Sequence, residues 1–216
     1  MDAIAAIAAI DDPVRRALFD LVAAAPHPVS RNAAAEALGI PRGTAAFHLD
    51  RLAEANLLTV DYTRLTGRTG PGAGRPAKVY RVAASEIAVS IPDRHYDLMG
   101  SLLAGAIEAS ADTGEPVLDA LRETAGAAGR TAGAEAGTLE AVLDAGGYQP
   151  VESGDGRVLM NCPFHRLAAA HTEVVCAANH AYLAAAADAT GGDPADVVLD
   201  LAVDRCCVRI LGPASG

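Results

Sequence analysis

The sequence predicts an α+β chain: two folded regions joined by a helix. Three observations predict it. Two short helical patterns meet at Gly39-Ile40-Pro41 and lead into a pair of strand patterns. A segment rich in glycine, proline and arginine separates those strands. All four cysteines, Cys162, Cys176, Cys206 and Cys207, fall in the last quarter of the 216 residues. That length allows one large domain or two small ones. Hydrophobic residues make up 51%, many of them Ala, and Trp is absent; small side chains of this kind favour closely packed helices.

The elements follow in order. Residues 1–10 are apolar, carry no basic leader and run into Asp11-Asp12, so they read as a packing helix and not as a signal peptide. No apolar stretch reaches the ~20 residues of a membrane helix. The expectation is a cytoplasmic chain without a membrane partner, whose thiols stay reduced. Asp12 caps the next helix with Pro13 at its first position, and Val14, Ala17, Leu18, Leu21 and Val22 give it a buried face. Pro26 and Pro28 end it. Ser30 caps a short helix, Arg31 to Leu38, that stops at Gly39. A second helix runs from Arg42 to Asn56 and turns Ala45, Leu49, Leu52 and Ala53 to the core. Strand patterns follow at Leu57 to Val60 and Lys78 to Val82. Two helices with a tight turn and then a hairpin with a basic, glycine-rich tip make a winged helix-turn-helix, assigned to residues 1–84.

Residues 85–112 read as a linker and a helix from Pro92 to Ala111. Its stripe of Tyr96, Leu98, Leu102, Leu103, Ala106 and Ile107 has little nearby to bury it. That suits a connecting dimerisation helix, with packing inside the chain as its other use. Residues 113–216 form the last region. Ala-rich helices over 117–145 are broken near Gly126, Gly129 and Gly137. A hairpin turns at Ser153-Gly154-Asp155-Gly156. A helix ends at Gly191-Gly192, and Val197 to Leu211 closes as one strand or two.

The net charge of −10 argues against general nucleic-acid binding. Yet residues 31–81 carry eight basic and four acidic side chains. A local basic patch of this kind suits double-stranded DNA. The second helix of the pair would enter the major groove with Arg42, Thr44, Ala45, His48 and Arg51. In the wing, Arg64, Arg68, Arg75 and Lys78 would hold phosphate or the minor groove. From Asp12-Pro13 to Gly74-Arg75-Pro76-Ala77-Lys78-Val79-Tyr80 the chain resembles the ArsR-like winged-helix regulators. The Gly-Arg-Pro wing before a Val-Tyr strand is the more specific part.

Thiolates brought together from separate elements suit a soft metal or a cluster. Cys162 ends a hairpin strand and Cys176 lies on the next helix. On a regular strand, Cys206 and Cys207 point to opposite faces, so one of them ligates and three thiolates leave one vacancy. His165, His171 and His180 are candidates for the fourth position, His165 foremost, three residues from Cys162. The set could hold a labile iron–sulfur cluster or zinc. No nucleophile–base–orienter spacing points to an enzyme.

Asn161-Cys162-Pro163-Phe164-His165, with His171 through Cys176 and Cys206-Cys207-Val208, resembles the SufR-type branch of these regulators. One cysteine expected between Cys176 and Cys206 is absent. The resemblance implies a homodimeric repressor with a C-terminal α+β sensor domain. That domain would hold an iron–sulfur cluster of the four-iron four-sulfur type. Cluster state would set operator affinity at genes for cluster assembly. The other reading is a winged-helix regulator that senses zinc, thiol redox state or a small molecule through the same domain.

Overall fold

A computed structural model describes residues 3–63, 76–83, 87–202 and 204–212. The chain divides into two compact units, Met1–Val89 and Ser90–Gly216.

The first unit contains α1 (Ala3–Ile10), α2 (Pro13–Ala24), β1 (Val29–Ser30), α3 (Arg31–Leu38), α4 (Arg42–Glu54), β2 (Leu58–Thr63) and β3 (Ala77–Val82). Local chemistry sets most boundaries. The Asp12 carboxylate accepts from the Val14 and Arg15 amides at 2.9 Å, and Pro13 needs no amide partner at that position. The Ser30 hydroxyl caps α3 through Ala33. Gly39 ends α3 at φ 63°, where its amide and that of Ile40 recapture the last carbonyls. Asn56 adopts φ 59° and ends α4 the same way. That stops α4 at Glu54, short of the Asn56 read from sequence.

The sheet is antiparallel in the order β1-β3-β2, with Val60 opposite Tyr80. Leu18, Leu49, Leu52 and Tyr80 are fully buried, and Ala6 of α1 joins the same core. Burial of three Leu side chains stabilises a domain of this size by several kcal/mol. The tip of the wing, with Arg64, Arg68 and Arg75, lies outside the described residues.

The second unit contains α5 (Tyr96–Thr113), α6 (Val117–Ala136), α7 (Leu139–Ala145), β4 (Pro150–Ser153), β5 (Gly156–Leu159), α8 (His165–Ala170) and α9 (Thr172–Ala189). A short 3₁₀ turn, β6 (Val197–Leu199) and β7 (Val208–Leu211) complete it. Its sheet is antiparallel in the order β4-β5-β7-β6. The expected breaks at Gly126 and Gly129 do not occur, because α6 runs unbroken until Gly137 at φ 75°. Gly129, with Gly133 one turn later, instead lets α6 lie directly on α9. A Cβ at Gly129 would collide with the Tyr182 carbonyl, and one at Gly133 would lie 2.8 Å from the Ala186 carbonyl oxygen. The helix thus tolerates roughly 1 kcal/mol of lost propensity per glycine for close packing.

Part of the stripe on α5 packs inside the chain, one of its two expected uses. Met99, Leu102 and Ala106 are buried within their own unit, against α6 and the core beyond it. Ile107 remains 61% exposed. Among the described residues, no helix is long and apolar enough to cross a membrane.

Candidate functional site

Two sets of side chains carry chemistry, one in each unit. The first is the outer face of α4. Pro41 precedes it, and Arg42 and Gly43 open it, all exposed. Phe47 is 56% exposed and lies one helical turn from Arg51, whose guanidinium stands 5.6 Å from the ring centroid. Arg51 also pairs with Glu54 at 3.0 Å on the surface, an arrangement of little energetic weight that leaves its cation available. Thr44 is partly exposed near the start of the helix.

Two residues placed on this face by the sequence reading belong elsewhere. Ala45 is fully buried in the core and supports the helix from beneath. The His48 side chain is only 13% exposed, with Nδ1 3.9 Å from Asp12 Oδ1 and edge-on to Phe47. It turns toward the start of α2 instead of reaching outward, and its buried Nδ1 makes no hydrogen bond among the described residues. Lys78 forms an ion pair with Asp50 of α4 and is 27% exposed; Tyr80 donates to the same carboxylate at 2.7 Å. Burial opposes ionisation of Asp50, but its bonds to Lys78 and Tyr80 outweigh that and hold its carboxyl below the ordinary value of 3.8. Lys78 therefore braces the wing strand β3 against α4. Phe47 is the residue that sequence reasoning missed. Its i, i+4 relation to Arg51 on a face without core leucines was the available signal.

The second set is the cysteines of the other unit. All four are buried and free. Cys162 follows β5 in the loop to α8, Cys176 is in the first turns of α9, and Cys206-Cys207 precede β7. The last pair departs from expectation. The chain bends at Asp204–Arg205 and becomes a strand only at Val208. The alternation of a regular strand therefore does not apply, and both thiols turn into the cluster. Cys206 lies beside Cys162 and Cys207, and Cys207 beside Cys176, within reach for each to perturb its neighbour's ionisation.

These contacts divide the thiols. Bonds from Cys162 and Cys207 hold the Cys206 thiol well below its ordinary range, aided by the Val208 amide and by Asn179. The bond from Cys207 lowers Cys176. The donors shift oppositely: Cys162 is raised by its bond to Cys206 and by burial, Cys207 by its bonds to Cys176 and Cys206 and by burial.

The surrounding framework is well hydrogen-bonded. The Asn179 amide donates to Cys206 Sγ at 3.2 Å while its oxygen accepts from the Tyr148 hydroxyl at 2.6 Å. Asn161, buried beside Cys162, donates to the Asp93 and Gly147 carbonyls and accepts from Arg94. The His95 amide donates to the Pro163 carbonyl at 3.1 Å. The loop bearing Cys162 is thus fixed on both sides.

A cavity of about 400 Å³ opens beside the thiols, bordered by Cys162, Cys176, Cys207, His165, Thr172 and Arg205. Cys206 is not on its wall. Arg205 is paired with Asp200 at 2.7 Å. His165 lies at this cavity and is exposed. His171 is exposed at the α8–α9 junction, and His180 bonds the Val197 carbonyl at 2.8 Å. Among the described residues, no three His, Cys, Asp or Glu side chains stand ready-spaced around a metal ion.

Comparison with known proteins bears on the first set. Residues 10–61 match a family model described as a helix-turn-helix domain, the DNA-binding module of transcription regulators. No curated protein matches the chain, and no solved structure does.

Proposed function

We propose that this chain is a homodimeric transcription regulator, acting as a repressor, whose second unit holds an iron–sulfur cluster and adjusts operator affinity to cluster state. Its DNA-binding character rests on the helix-turn-helix match and on the exposed face of α4. One observation carries the cofactor reading: buried thiols from three separate segments converge beside a cavity.

The donor set fits such a group. Thiolates are the ligands of iron–sulfur clusters, and N–H···S bonds to those sulfurs tune them. Asn179 and the Val208 amide bond in that way to Cys206, the thiol behind the three that border the cavity, and so fix its place. Cys162, Cys176 and Cys207, which border the cavity, would hold the group, with His165 at the fourth position. Cys206 would support them from behind. The sulfurs lie close to one another, so loading would require them to part toward the cavity. The cluster would supply a redox-sensitive, removable crosslink between β5, α9 and the segment before β7. This chain's own residues bind and orient it, and Arg205, its charge answered by Asp200, completes the cavity rim.

Zinc is the second reading, since buried thiolates also suit one tetrahedral ion. The cavity favours the cluster, because a single ion held between neighbouring thiols needs no such space. Metal and labile-sulfide analysis of anaerobically purified full-length protein separates the two. Iron with matching sulfide is expected, lost in Cys207→Ser and retained in Cys206→Ser. One equivalent of zinc without sulfide would establish the second reading.

A further inference from the structure

We propose that the second unit contains a binding site for a small organic cation with an apolar body, separate from the thiol cavity. A second cavity of about 400 Å³ lies among α5, α6, α7 and the Pro163-Phe164 segment, within the size range of pockets that hold small ligands. Most of its wall is apolar, with Leu98, Ala132, Val142 and Phe164 as examples.

Its polar groups select the charge. His95, Glu135 and Tyr182 face it, and no Lys or Arg is among its lining residues. The Tyr148 hydroxyl on the same wall is already committed to Asn179. Glu135 is thus the one formal charge at the site. A carboxylate or phosphate ligand would meet it without a counter-charge, whereas an ammonium group gains an ion pair there. Phe164 and Tyr182 also line the cavity and add aromatic surface for the ligand's apolar body. Burial, with the Glu135 charge second, pushes the Tyr182 hydroxyl up, so it remains a donor at the rim.

The Cys162–His165 segment borders both cavities. Cys162 and His165 line the first; Pro163 and Phe164 line the second. Tyr148 extends the connection through Asn179 to Cys206. Occupancy of the second cavity therefore alters access to the thiols. The site does not depend on what the thiols hold.

Calorimetric titration of the full chain with 2-phenylethylamine tests this, with 3-phenylpropanoate as an anion of similar size. The amine should saturate one site and the anion should bind at least about threefold more weakly, the scale of one ion pair at an exposed carboxylate. Glu135→Gln, at an exposed position, should weaken the amine by a similar factor. Ala132→Phe should abolish binding by filling the cavity. Iodoacetamide labelling of Cys162, followed by mass spectrometry, should change at least about twofold in rate with the amine bound. The site is overturned if wild type shows no saturable amine binding, if the anion binds equally, or if Glu135→Gln binds unchanged. Unchanged labelling with the amine bound overturns the link to the thiols.

Discussion

The two units distribute their chemistry in opposite ways. In the first, reactive groups lie outside: Arg42, Phe47 and Arg51 project from α4 while the core beneath is Leu, Ala and Tyr. In the second, the four thiols lie inside, with Asn179 and Asn161 buried among them. A surface that meets DNA must present charge to water, because phosphate contacts form by replacing counterions. A thiol centre must exclude water and hold its sulfurs by packing and hydrogen bonds. The contrast teaches that substitutions should separate cleanly. Changes on α4 should cost binding and little stability, and changes around the thiols should cost stability and, on the proposed reading, the cofactor together.

The largest expected effect is Gly129→Val. The new side chain has nowhere to go between α6 and α9, so the second unit should lose ~3 kcal/mol or more. Chemical denaturation should show that loss in one transition while the helix-turn-helix unit retains its own. Joint unfolding of both would break the comparison.

Asn179→Ala comes next. It strands the buried Tyr148 hydroxyl and removes a donor to Cys206, at a cost of ~2–3 kcal/mol. A urea midpoint shift gives that figure, and reduced iron retention in the same variant would extend it to the cofactor reading.

On the α4 face, Arg42→Ala and Phe47→Ala should each weaken operator binding by ~1–3 kcal/mol, the scale of one base contact. Their melting temperatures should stay close to wild type. Arg75→Ala should weaken binding more evenly across sequences and lower the salt slope by about one. A slope equal to wild type would remove its phosphate role.

The smallest effect tests the brace. Asp50→Asn should cost the first unit ~1 kcal/mol at neutral pH, a value moderated by partial exposure. Because the carboxyl is held below its ordinary 3.8, its stabilisation is present above that pH and fades as pH falls through the lower folded value. The gap between variant and wild type should close on acidification.

Legibility also differed between the units. The helix pair could be read because its punctuation is local: Asp12-Pro13, Ser30 and Gly39 each satisfy a backbone need within a few residues. The outward face of α4 was read less well. Burial of Ala45 and His48 depends on how α2 and the rest of the first unit's core lie against α4, a long-range outcome that α4's own spacing does not state. Gly126 and Gly129 looked like breaks because a glycine in a helix interior is costly unless another backbone needs its space, and for Gly129 that backbone lies more than fifty residues away at Tyr182. The thiols were found by their clustering in sequence. Their geometry was not, since the bend at Asp204–Arg205 replaced the strand assumed there.

Operator affinity measured anaerobically on one full-length preparation, before and after removal of its metal by chelation, tests the central claim most directly. The account predicts that removing the group shifts affinity at least about tenfold, a coupling of ~1.4 kcal/mol, and that Cys162→Ser abolishes the shift. Equal affinity of the loaded and stripped forms would contradict it.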